Sequence, residues 1–430
     1  MTDFDHNLDR VKIAYKKLKA NVYFDKTQLP LRDRLVLFEQ EDIDEKLAEL
    51  KRTLIDGDGW EQYEQQLLDQ INVLLYPKKL KPIPKDTAIF NADNIAIEMD
   101  APQFFIDLPV EGHILGVLWI LYIGRELDRN SDDTNPNGMY EHSYGNRLRK
   151  TLFNEEIKDI TYAPGLFEPY FSQFESWRDH GLKKAQERLD DKQDAIILTL
   201  DFKSFYYSVD FQASDFEDIL NRITSPKDWY TRVNSFVYKV IQAYSDKLRK
   251  HCHSGQVLDI KQRNVLPIGF LPSNILSNWF LTKFDDAITE KWNPVYYGRY
   301  VDDVIIVDKV EKNDLLYKLA HERAPTGRLT ADNVINLKLV TPKIFKSTSE
   351  KNIFLSDEIC PTCEHAPKPY INYQIDPEVL ESSQSEVTVQ STKVKLFYFQ
   401  CGATRALLDC FKTKIAQNAS EFRSSSWIPK

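Results

Sequence analysis

The chain has 430 residues, of which 42% are hydrophobic and 12% aromatic, and this composition excludes a disordered chain. Its net charge of -9 excludes a generic nucleic-acid coat, so any groove for nucleic acid must be local. Five cysteines and a charged N-terminal stretch without an apolar core fit a cytoplasmic protein rather than a secreted one. The most apolar run, at residues 114–124, is too short to span a bilayer, so we expect no membrane contact.

The beginning of the chain predicts a helical region. Apolar residues recur at three-to-four spacing through residues 1–75, and the run WEQYEQQLLDQINVLLY at residues 60–76 continues this pattern. The basic, proline-broken stretch at residues 76–85 favours a solvated linker, with contact to phosphates as the alternative. This region carries no recognisable catalytic group, so we interpret it as a packing and interaction layer.

The segment that follows mixes strands, a helix and loops. Short strands and turns are predicted first, then a buried helix over residues 114–124 and a polar loop over residues 130–139. Basic residues lie beside Tyr144 in EHSYGNRLRK (residues 141–150), and aromatic and basic residues interleave over residues 166–189. Such interleaving can stack bases and bind phosphates. An amphipathic helix with an aromatic core face is the alternative.

An apolar strand then delivers a single carboxylate. Residues 195–206 read AIILTLDFKSFY, with Asp201 at the end of the apolar run and Phe205 and Tyr206 after it. Helices are predicted over residues 212–262.

The stretch LPIGFLPSN occupies residues 266–274 and precedes a helix-like run, ILSNWFLTKFDDAI. Gly269 permits close approach of the backbone to a nucleotide, because glycine has no side chain to collide with it. Ser273 offers a hydroxyl near the start of the following helix. The stretch is therefore a candidate binding loop.

Residues 296–307 read YYGRYVDDVIIV and predict a β-hairpin with Asp302 and Asp303 at its turn. Two uncompensated carboxylates at the tip of a buried hairpin are unfavourable unless a cation lies beside them. Mg²⁺ prefers such hard oxygen ligands. An exposed turn is the alternative for this pair considered alone, because Asp favours turns.

The C-terminal part offers weaker signals. Cys360 and Cys363 form a single CxxC near His365, which favours a turn with two free thiols over half of a zinc site. Residues 381–393 are polar and predict a loop, and residues 402–418 predict a helix.

Three of these stretches, in this order, resemble the catalytic palm of reverse transcriptases over about residues 140–375. YVDD is a variant of the YxDD box, DFKSFY resembles the strand box with the first aspartate, and LPIGFLPSN resembles the LPQGxxxSP box. The resemblance implies an α+β fold of the right-hand polymerase type with an antiparallel palm sheet. It divides the chain into a helical N-terminal region (1–85), fingers (86–190), a first palm part (191–220), a helical connection (221–265), a second palm part with the hairpin (266–375) and a thumb-like element (376–430).

The resemblance implies that Asp201, Asp302 and Asp303 are catalytic and bind two Mg²⁺ ions, with Mn²⁺ as a possible substitute. Asp303 would complete or orient the site, and Phe202 joins the metal-binding set. In a two-metal site the ions lie ~3.5–4 Å apart, one at the attacking oxygen and one at the leaving group. A primer 3′-hydroxyl, or a protein hydroxyl, would attack the α-phosphate of a dNTP.

A nucleotide-binding set is implied as well, comprising Arg147, Tyr206, Gly269, Ser273 and Lys343. Tyr206 stands where a bulky side chain clashes with a 2′-hydroxyl and selects deoxynucleotides, with a core tyrosine as the alternative. Arg147 is the candidate for the triphosphate, since basic residues of the fingers hold it in this family. Lys343 is favoured over Lys338 and Lys346 as the lysine near the pyrophosphate leaving group.

Two positions depart from the family pattern. Ile268 stands where many members carry Gln, and Asn274 stands where they carry Pro. Since Ile makes no polar contact with a nucleotide, efficient template copying is in doubt. The SYGNRL stretch and this loop resemble the abortive-infection and "unknown group" branch of bacterial reverse transcriptases. That branch implies antiphage defence, and partners such as a structured RNA, further copies of the chain or a companion defence protein.

Three hypotheses of function follow. The first is synthesis of DNA on an RNA template, and the second is template-independent or protein-directed synthesis, with protein priming as one form of it. Ile268 and the acidic net charge lean towards the second. The third is a polymerase-like scaffold that only binds nucleic acid, and the presence of Asp201, Asp302 and Asp303 argues against it.

Overall fold

The computed structural model describes residues 10–24, 28–80, 99–128, 142–149, 165–223, 226–251, 260–321, 329–347, 372–382, 384–390, 393–402, 406 and 408. The chain forms two compact units that interleave along the sequence. Unit 1 comprises Met1–Glu126, Glu155–Gly165 and Asp210–Asn274, and unit 2 comprises Leu127–Asn154, Leu166–Val209 and Ile275–Lys430. The six consecutive segments expected from the sequence stay a prediction.

The described part of the chain contains both helices and strands. The helices are α1 (Arg10–Phe24), α2 (Leu29–Phe38), α3 (Ile43–Lys51), α4 (Trp60–Asp69), α5 (Val110–Trp119), α6 (Arg125–Leu127), α7 (Tyr170–Asp190), α8 (Phe205–Ser208), α9 (Ala213–Asn221), α10 (Asp228–His251), α11 (Pro272–Phe280), α12 (Thr282–Ala287), α13 (Leu315–His321) and α14 (Ala331–Ile335). Single π-helical turns occupy Arg52–Asp56, Ile120–Gly124, Ile288–Trp292 and Asn336–Val340, and a 3-10 turn occupies Pro377–Val379.

The strands are β1 (Asn72–Leu80), β2 (Met99–Asp107), β3 (Asp194–Asp201), β4 (Tyr296–Tyr300), β5 (Asp303–Val310), β6 (Phe345–Ser347), β7 (Asn372–Ile375), β8 (Thr388–Gln390) and β9 (Lys395–Phe399). They form sheets of order β1-β2, β4-β5-β3-β9 and β6-β7-β8, and each of these pairings is antiparallel. A mixed helix and sheet fold with antiparallel sheets is therefore confirmed.

Among its described residues, unit 1 contains helices and the paired strands β1 and β2. Its core contains α5, in which every residue except Glu111 is buried, as expected for the apolar run of the sequence. Buried polar side chains join its elements: Trp119 Nε1 donates to Asn234 Oδ1 at 2.8 Å, and the Tyr244 hydroxyl donates to Phe104 O at 2.8 Å. The N-terminal helices are confirmed, but the helical pattern through residue 75 is wrong.

The error at residue 75 has a structural reason. Helix α4 ends at Asp69, and the strand β1 begins at Asn72 and pairs with β2 from the register Asn72↔Asp107 onwards. The spacing of apolar residues at this point fits either a helix or a strand. Val73 and Tyr76 favour a strand, and pairing with β2 stabilises that strand.

Unit 2 contains the four-stranded sheet with α7 packed against it. Six of the eight residues of β3 are buried, because β3 lies between β5 and β9 in the sheet. On α7, Trp177 Nε1 donates to Gly298 O of β4 at 2.9 Å, and Phe174 packs on Tyr300. These two aromatic residues of the 166–189 stretch are thus core residues, in agreement with the amphipathic-helix alternative.

The hairpin and the C-terminal part of the chain bear on further expectations. The β4-β5 hairpin is confirmed, whereas the predicted loop over residues 381–393 is wrong at Thr388–Gln390, which pairs with β7 as a strand. The cysteines of the CxxC and nearly all of the predicted C-terminal helix lie outside the described residues. None of the described helices has the length and apolar character needed to cross a membrane.

Candidate active site

Three aspartates lie at one end of the four-stranded sheet of unit 2. The register of β3 and β5 places Asp201 directly opposite Asp303, and Asp302 precedes Asp303 at the hairpin turn. Directly opposed residues of an antiparallel pair lie on the same face, with Cβ atoms about 4.5–5.5 Å apart. The main chain ties the third acid to the same place, because Phe202 N donates to Asp302 O at 3.3 Å.

A lysine that the sequence analysis missed lies beside these acids. Lys393 Nζ is 3.5 Å from Asp201 Oδ2, and both side chains are partly exposed, at 47% and 39%. Lys393 reaches this place because it precedes β9, which pairs with β3 from Thr199↔Lys395 onwards. No local pattern marks it, since only the pairing of β9 with β3 brings it to the acids.

The donor set suits a hard divalent cation. Carboxylate oxygens are the ligands that Mg²⁺ and Mn²⁺ prefer, and the ammonium of Lys393 already occupies a cation position next to Asp201. Within the described ranges, no group of three or more His, Cys, Asp or Glu side chains is placed so that it could hold a metal ion. Mg²⁺ usually takes only one or two carboxylates from a protein and its other ligands from water and substrate phosphates.

Phe202, the other member of the expected metal-binding set, is buried. Its side chain is 1% exposed and packs on Phe205 and Phe284. An aromatic ring offers no ligand to Mg²⁺, so only the carbonyl oxygen of Phe202 could contribute.

Tyr206 lies five residues after Asp201, within the one-turn helix α8. The preceding residue, Phe205, fills the core position, because it is 2% exposed and packs on Phe280. Tyr206 itself is half-buried. Its position therefore differs from that of a fully enclosed core tyrosine.

Arg147, the candidate for the triphosphate, is buried and paired with Asp128. Its side chain is 1% exposed, its Nε lies 2.6 Å from Asp128 Oδ1, and its Nη1 and Nη2 donate to Ser143 O and Asp128 O at 2.9 and 2.8 Å. Binding a triphosphate would require this pair to break and would leave the buried carboxylate of Asp128 without its cation. Arg147 therefore contributes to the fold in this structure, and its expected contact with a triphosphate stays a prediction.

The three candidate lysines of residues 334–347 differ in their partners. Lys338 Nζ lies 3.3 Å from Asp308, and Lys346 Nζ lies 3.4 Å from Asp376. Lys343 is exposed and has no ion pair within the part of the chain that the structure describes. Its backbone φ of +58° is unusual for a residue with a side chain.

The loop at residues 266–274 belongs to unit 1. Gly269 has a φ of +94°, which favours glycine, and a Cβ there would lie 3.3 Å from Phe105 Cδ1. The hydroxyl of Ser273 is buried and donates to Pro267 O at 2.8 Å. Ser273 thus closes its own loop, and its expected contact with a nucleotide stays a prediction, as does that of Gly269.

Comparison with known families adds an independent finding. Residues 147–348 match the family model described as "Reverse transcriptase (RNA-dependent DNA polymerase)", which covers just under half of the chain. The matched range includes the three acids, the 266–274 loop and Lys343. Domains of this family generally use divalent metal ions, usually Mg²⁺, and bind nucleic acid and dNTPs. No curated protein matches the chain.

Proposed function

We propose that this chain, in which residues 147–348 match the reverse transcriptase family, is a DNA polymerase that adds dNTPs at Asp201, Asp302 and Asp303 with two Mg²⁺ ions. The observation that carries this proposal is the direct opposition of Asp201 and Asp303, with Asp302 adjacent. Two like charges facing each other across a sheet are unfavourable, and a shared cation removes that cost.

The chemistry is a nucleotidyl transfer. The primer hydroxyl gives its proton to a solvent water and its oxygen attacks the α-phosphorus of the dNTP, a new P–O bond forms, and the P–O bond to the pyrophosphate leaving group breaks. When bound, Mg²⁺ would lower the pKa of the attacking hydroxyl and would neutralise charge on the leaving group. Of the chain's own residues, Asp201 and Asp303 hold the reacting centre from a buried sheet, and Lys343 and Lys393 supply positive charge for phosphates.

Selection of the sugar is proposed for Tyr206. It follows Asp201 by five residues on a helix whose neighbouring side chain, Phe205, is fixed in the core. A half-buried ring held in this way can exclude a 2′-hydroxyl by its bulk, which would favour deoxynucleotides over ribonucleotides.

An incorporation assay tests the metal-binding acids. Asp302→Asn and Asp303→Asn should abolish Mg²⁺-dependent incorporation of dNTPs while the melting temperature stays close to that of the parent. Asp308→Asn is the matched control, because Asp308 is a buried carboxylate on the same strand β5. Equal incorporation by Asp302→Asn and the parent would remove the assignment.

The product sequence could be copied from an RNA template or made without a nucleic-acid template. Ile268 favours the second mode, template-independent or protein-directed synthesis. Ile268 is half-buried, and its carbonyl accepts a hydrogen bond from Ile106 N at 2.9 Å. Its apolar side chain provides no polar contact for a nucleotide.

Sequencing the product made by untreated and RNase-treated enzyme separates templated synthesis from template-independent synthesis. A product complementary to a co-purified RNA, and lost after RNase, supports templated synthesis. A repetitive product that survives RNase supports the second mode.

We also propose a role in bacterial antiphage defence, which rests on the SYGNRL stretch and the altered 266–274 loop. Partners would be an associated RNA, further copies of the chain or a companion defence protein. Cells that express the parent should give fewer plaques than cells that express Asp302→Asn at the same level. Equal plaque counts across several unrelated phages would contradict the defence role and leave the polymerase assignment intact.

A further inference from the structure

A buried polar cluster lies directly behind the hairpin turn that carries Asp302. We call it the Arg299 cluster, and it consists of Arg299, Asp285 and Asn278, which are 1%, 3% and 8% exposed. Arg299 binds Asp285 through two hydrogen bonds, Nε to Oδ1 at 2.8 Å and Nη2 to Oδ2 at 2.6 Å. Its remaining nitrogen, Nη1, donates to Asn278 Oδ1 at 3.1 Å and to Val301 O at 3.0 Å. The guanidinium thus connects a buried carboxylate with the backbone of the turn.

Val301, the residue before Asp302, has an unusual backbone. Its φ is +57°, in the left-handed region that β-branched residues rarely adopt, and its side chain is 3% exposed. A strained conformation of this kind persists only where the surroundings hold it. The hydrogen bond from Arg299 Nη1 to the Val301 carbonyl is one such constraint.

The segment at residues 142–149 supplies a second constraint. Arg299 N donates to His142 O at 2.7 Å, and Tyr144 N donates to Arg299 O at 2.8 Å, so this segment lies along β4. A Cβ at Gly145 would lie only 2.7 Å from Val301 Cγ2 and 2.9 Å from Val301 N. The close approach of Gly145 is therefore a packing constraint on Val301, in addition to the hydrogen bond from Arg299.

Asn278 forms hydrogen bonds both to the 142–149 segment and to Arg299. Its Nδ2 donates to Gly145 O at 2.7 Å, and its Oδ1 accepts from Ser143 Oγ at 3.2 Å as well as from Arg299. One side chain of α11 thereby links the 142–149 segment with the hairpin. Burial lowers the pKa of Arg299, but the charge and hydrogen bonds of Asp285, together with Tyr297, outweigh burial and raise this pKa above its usual value, so the guanidinium stays charged.

We propose that Arg299 and Asp285 are positioning residues for the metal-binding acids, and that they act by holding Val301 in its left-handed conformation so that Asp302 and Asp303 lie beside Asp201. This inference rests on the proposed function. A bidentate pair of a buried Arg and Asp is well suited to the task, because its planar geometry fixes the direction of the remaining nitrogen.

The test compares two buried aspartates of unit 2. Asp285→Asn removes the partner of Arg299, whereas Asp308→Asn removes a carboxylate that binds Trp292 Nε1 at 2.8 Å and Lys338 Nζ at 3.3 Å, away from the turn. The two substitutions keep volume and change charge equally. Mn²⁺ binding is titrated by electron paramagnetic resonance without nucleotide, and the Mg²⁺ concentration for half-maximal incorporation and the melting temperature are measured beside it.

We expect Asp285→Asn to weaken Mn²⁺ binding by about ten- to a hundredfold, the usual effect of removing a group that orients metal ligands. The half-maximal Mg²⁺ concentration should rise in parallel, and Asp308→Asn should change neither quantity. Asn278→Ala provides a milder variant that leaves the Arg299–Asp285 pair in place, and it should weaken Mn²⁺ binding in the same direction. Hydrogen exchange at residues 300–303 should be faster in both cluster variants.

Unchanged Mn²⁺ affinity in folded Asp285→Asn or Asn278→Ala would overturn the inference and leave the cluster a role in stability alone. That outcome differs from failure of the proposed function. If the metal-binding assignment itself is wrong, Asp302→Asn will bind Mn²⁺ and incorporate dNTPs as well as the parent does.

Discussion

Asp201 and Asp303 lie directly opposite each other at the last paired position of β3 and β5, on the same face of the sheet. Nearby like charges at such a position destabilise a protein unless a cation lies between them. This opposition supports the proposal that the pair binds a metal ion.

The first prediction follows from this opposition. In EDTA, Asp303→Asn should raise the free energy of unfolding by about 0.2–1 kcal/mol, the scale of one unfavourable cross-strand pair. In excess Mg²⁺ the order should reverse, because a bound ion stabilises only the parent. Urea unfolding under both conditions checks this. A variant that is less stable than the parent in EDTA would show that repulsion between the acids is not significant.

Tyr206→Ala should admit ribonucleotides. Removing the ring opens the space that a 2′-hydroxyl needs, so the ratio of kcat/KM for dNTP and rNTP should fall by roughly tenfold or more, a typical range for discrimination by pocket shape. Tyr207→Ala on the same helix α8 is the matched control. Unchanged discrimination in Tyr206→Ala would exclude a gate at this position.

Lys393→Ala should lower kcat/KM for dNTPs with little change in stability. A partly exposed ion pair contributes only about 0.2–1 kcal/mol to folding, whereas a charge-assisted hydrogen bond to a phosphate contributes about 1.5–3 kcal/mol, or roughly ten- to a hundredfold in rate. Lys395→Ala removes an exposed lysine two residues away and serves as the control. Similar kinetics of the two variants would mean that Lys393 does not contact the substrate.

Arg147→Ala tests the assignment of this residue to the fold. Breaking its buried pair with Asp128 should reduce the free energy of unfolding by about 3–5 kcal/mol, and Asp128→Asn should have a similar effect. The KM for dNTPs of the folded variant, measured at low temperature, should equal that of the parent. A raised KM with unchanged stability would return Arg147 to the triphosphate site.

The buried His113 makes the free energy of unfolding of the chain decrease as the pH falls. Burial, together with the charge of Arg34, lowers the pKa of His113 to about 3 from its usual 6.5. Between these values the unfolded chain binds a proton that the folded chain does not. The contribution of neutral His113 is therefore fully present above pH 6.5 and is lost as the pH falls towards 3, with a slope of up to about 1.4 kcal/mol per pH unit.

His113→Phe should flatten this dependence, because Phe fills the site beside Phe270 without binding a proton. Urea unfolding of parent and variant at several pH values between 7 and 4 gives the comparison. Parallel curves for the two proteins would indicate that other groups account for the loss of stability in acid.

The sequence alone predicted the strand and the hairpin of the candidate site, but not which side chains form ion pairs there. The apolar run before Asp201 and the β-branched residues around Asp302 are local signals, so the strand and the hairpin could be recognised. The partner of Arg147 is Asp128, 19 residues earlier along the chain, and no pattern distinguishes a buried arginine from a phosphate-binding one. Lys393 reaches Asp201 from 192 residues away, so only tertiary structure reveals it.

The central place of β3 has a consequence for synthesis of the protein. Both neighbours of this strand, β5 and β9, follow it in the chain, and the whole of Asp210–Asn274, which belongs to the other unit, lies in between. In a nascent chain, the very apolar strand β3 therefore has both of its edges unpaired until the ribosome has synthesised β5. Such long-range pairings form slowly and expose the intermediate to aggregation, so the yield of intact protein should be sensitive to chaperones and to growth temperature.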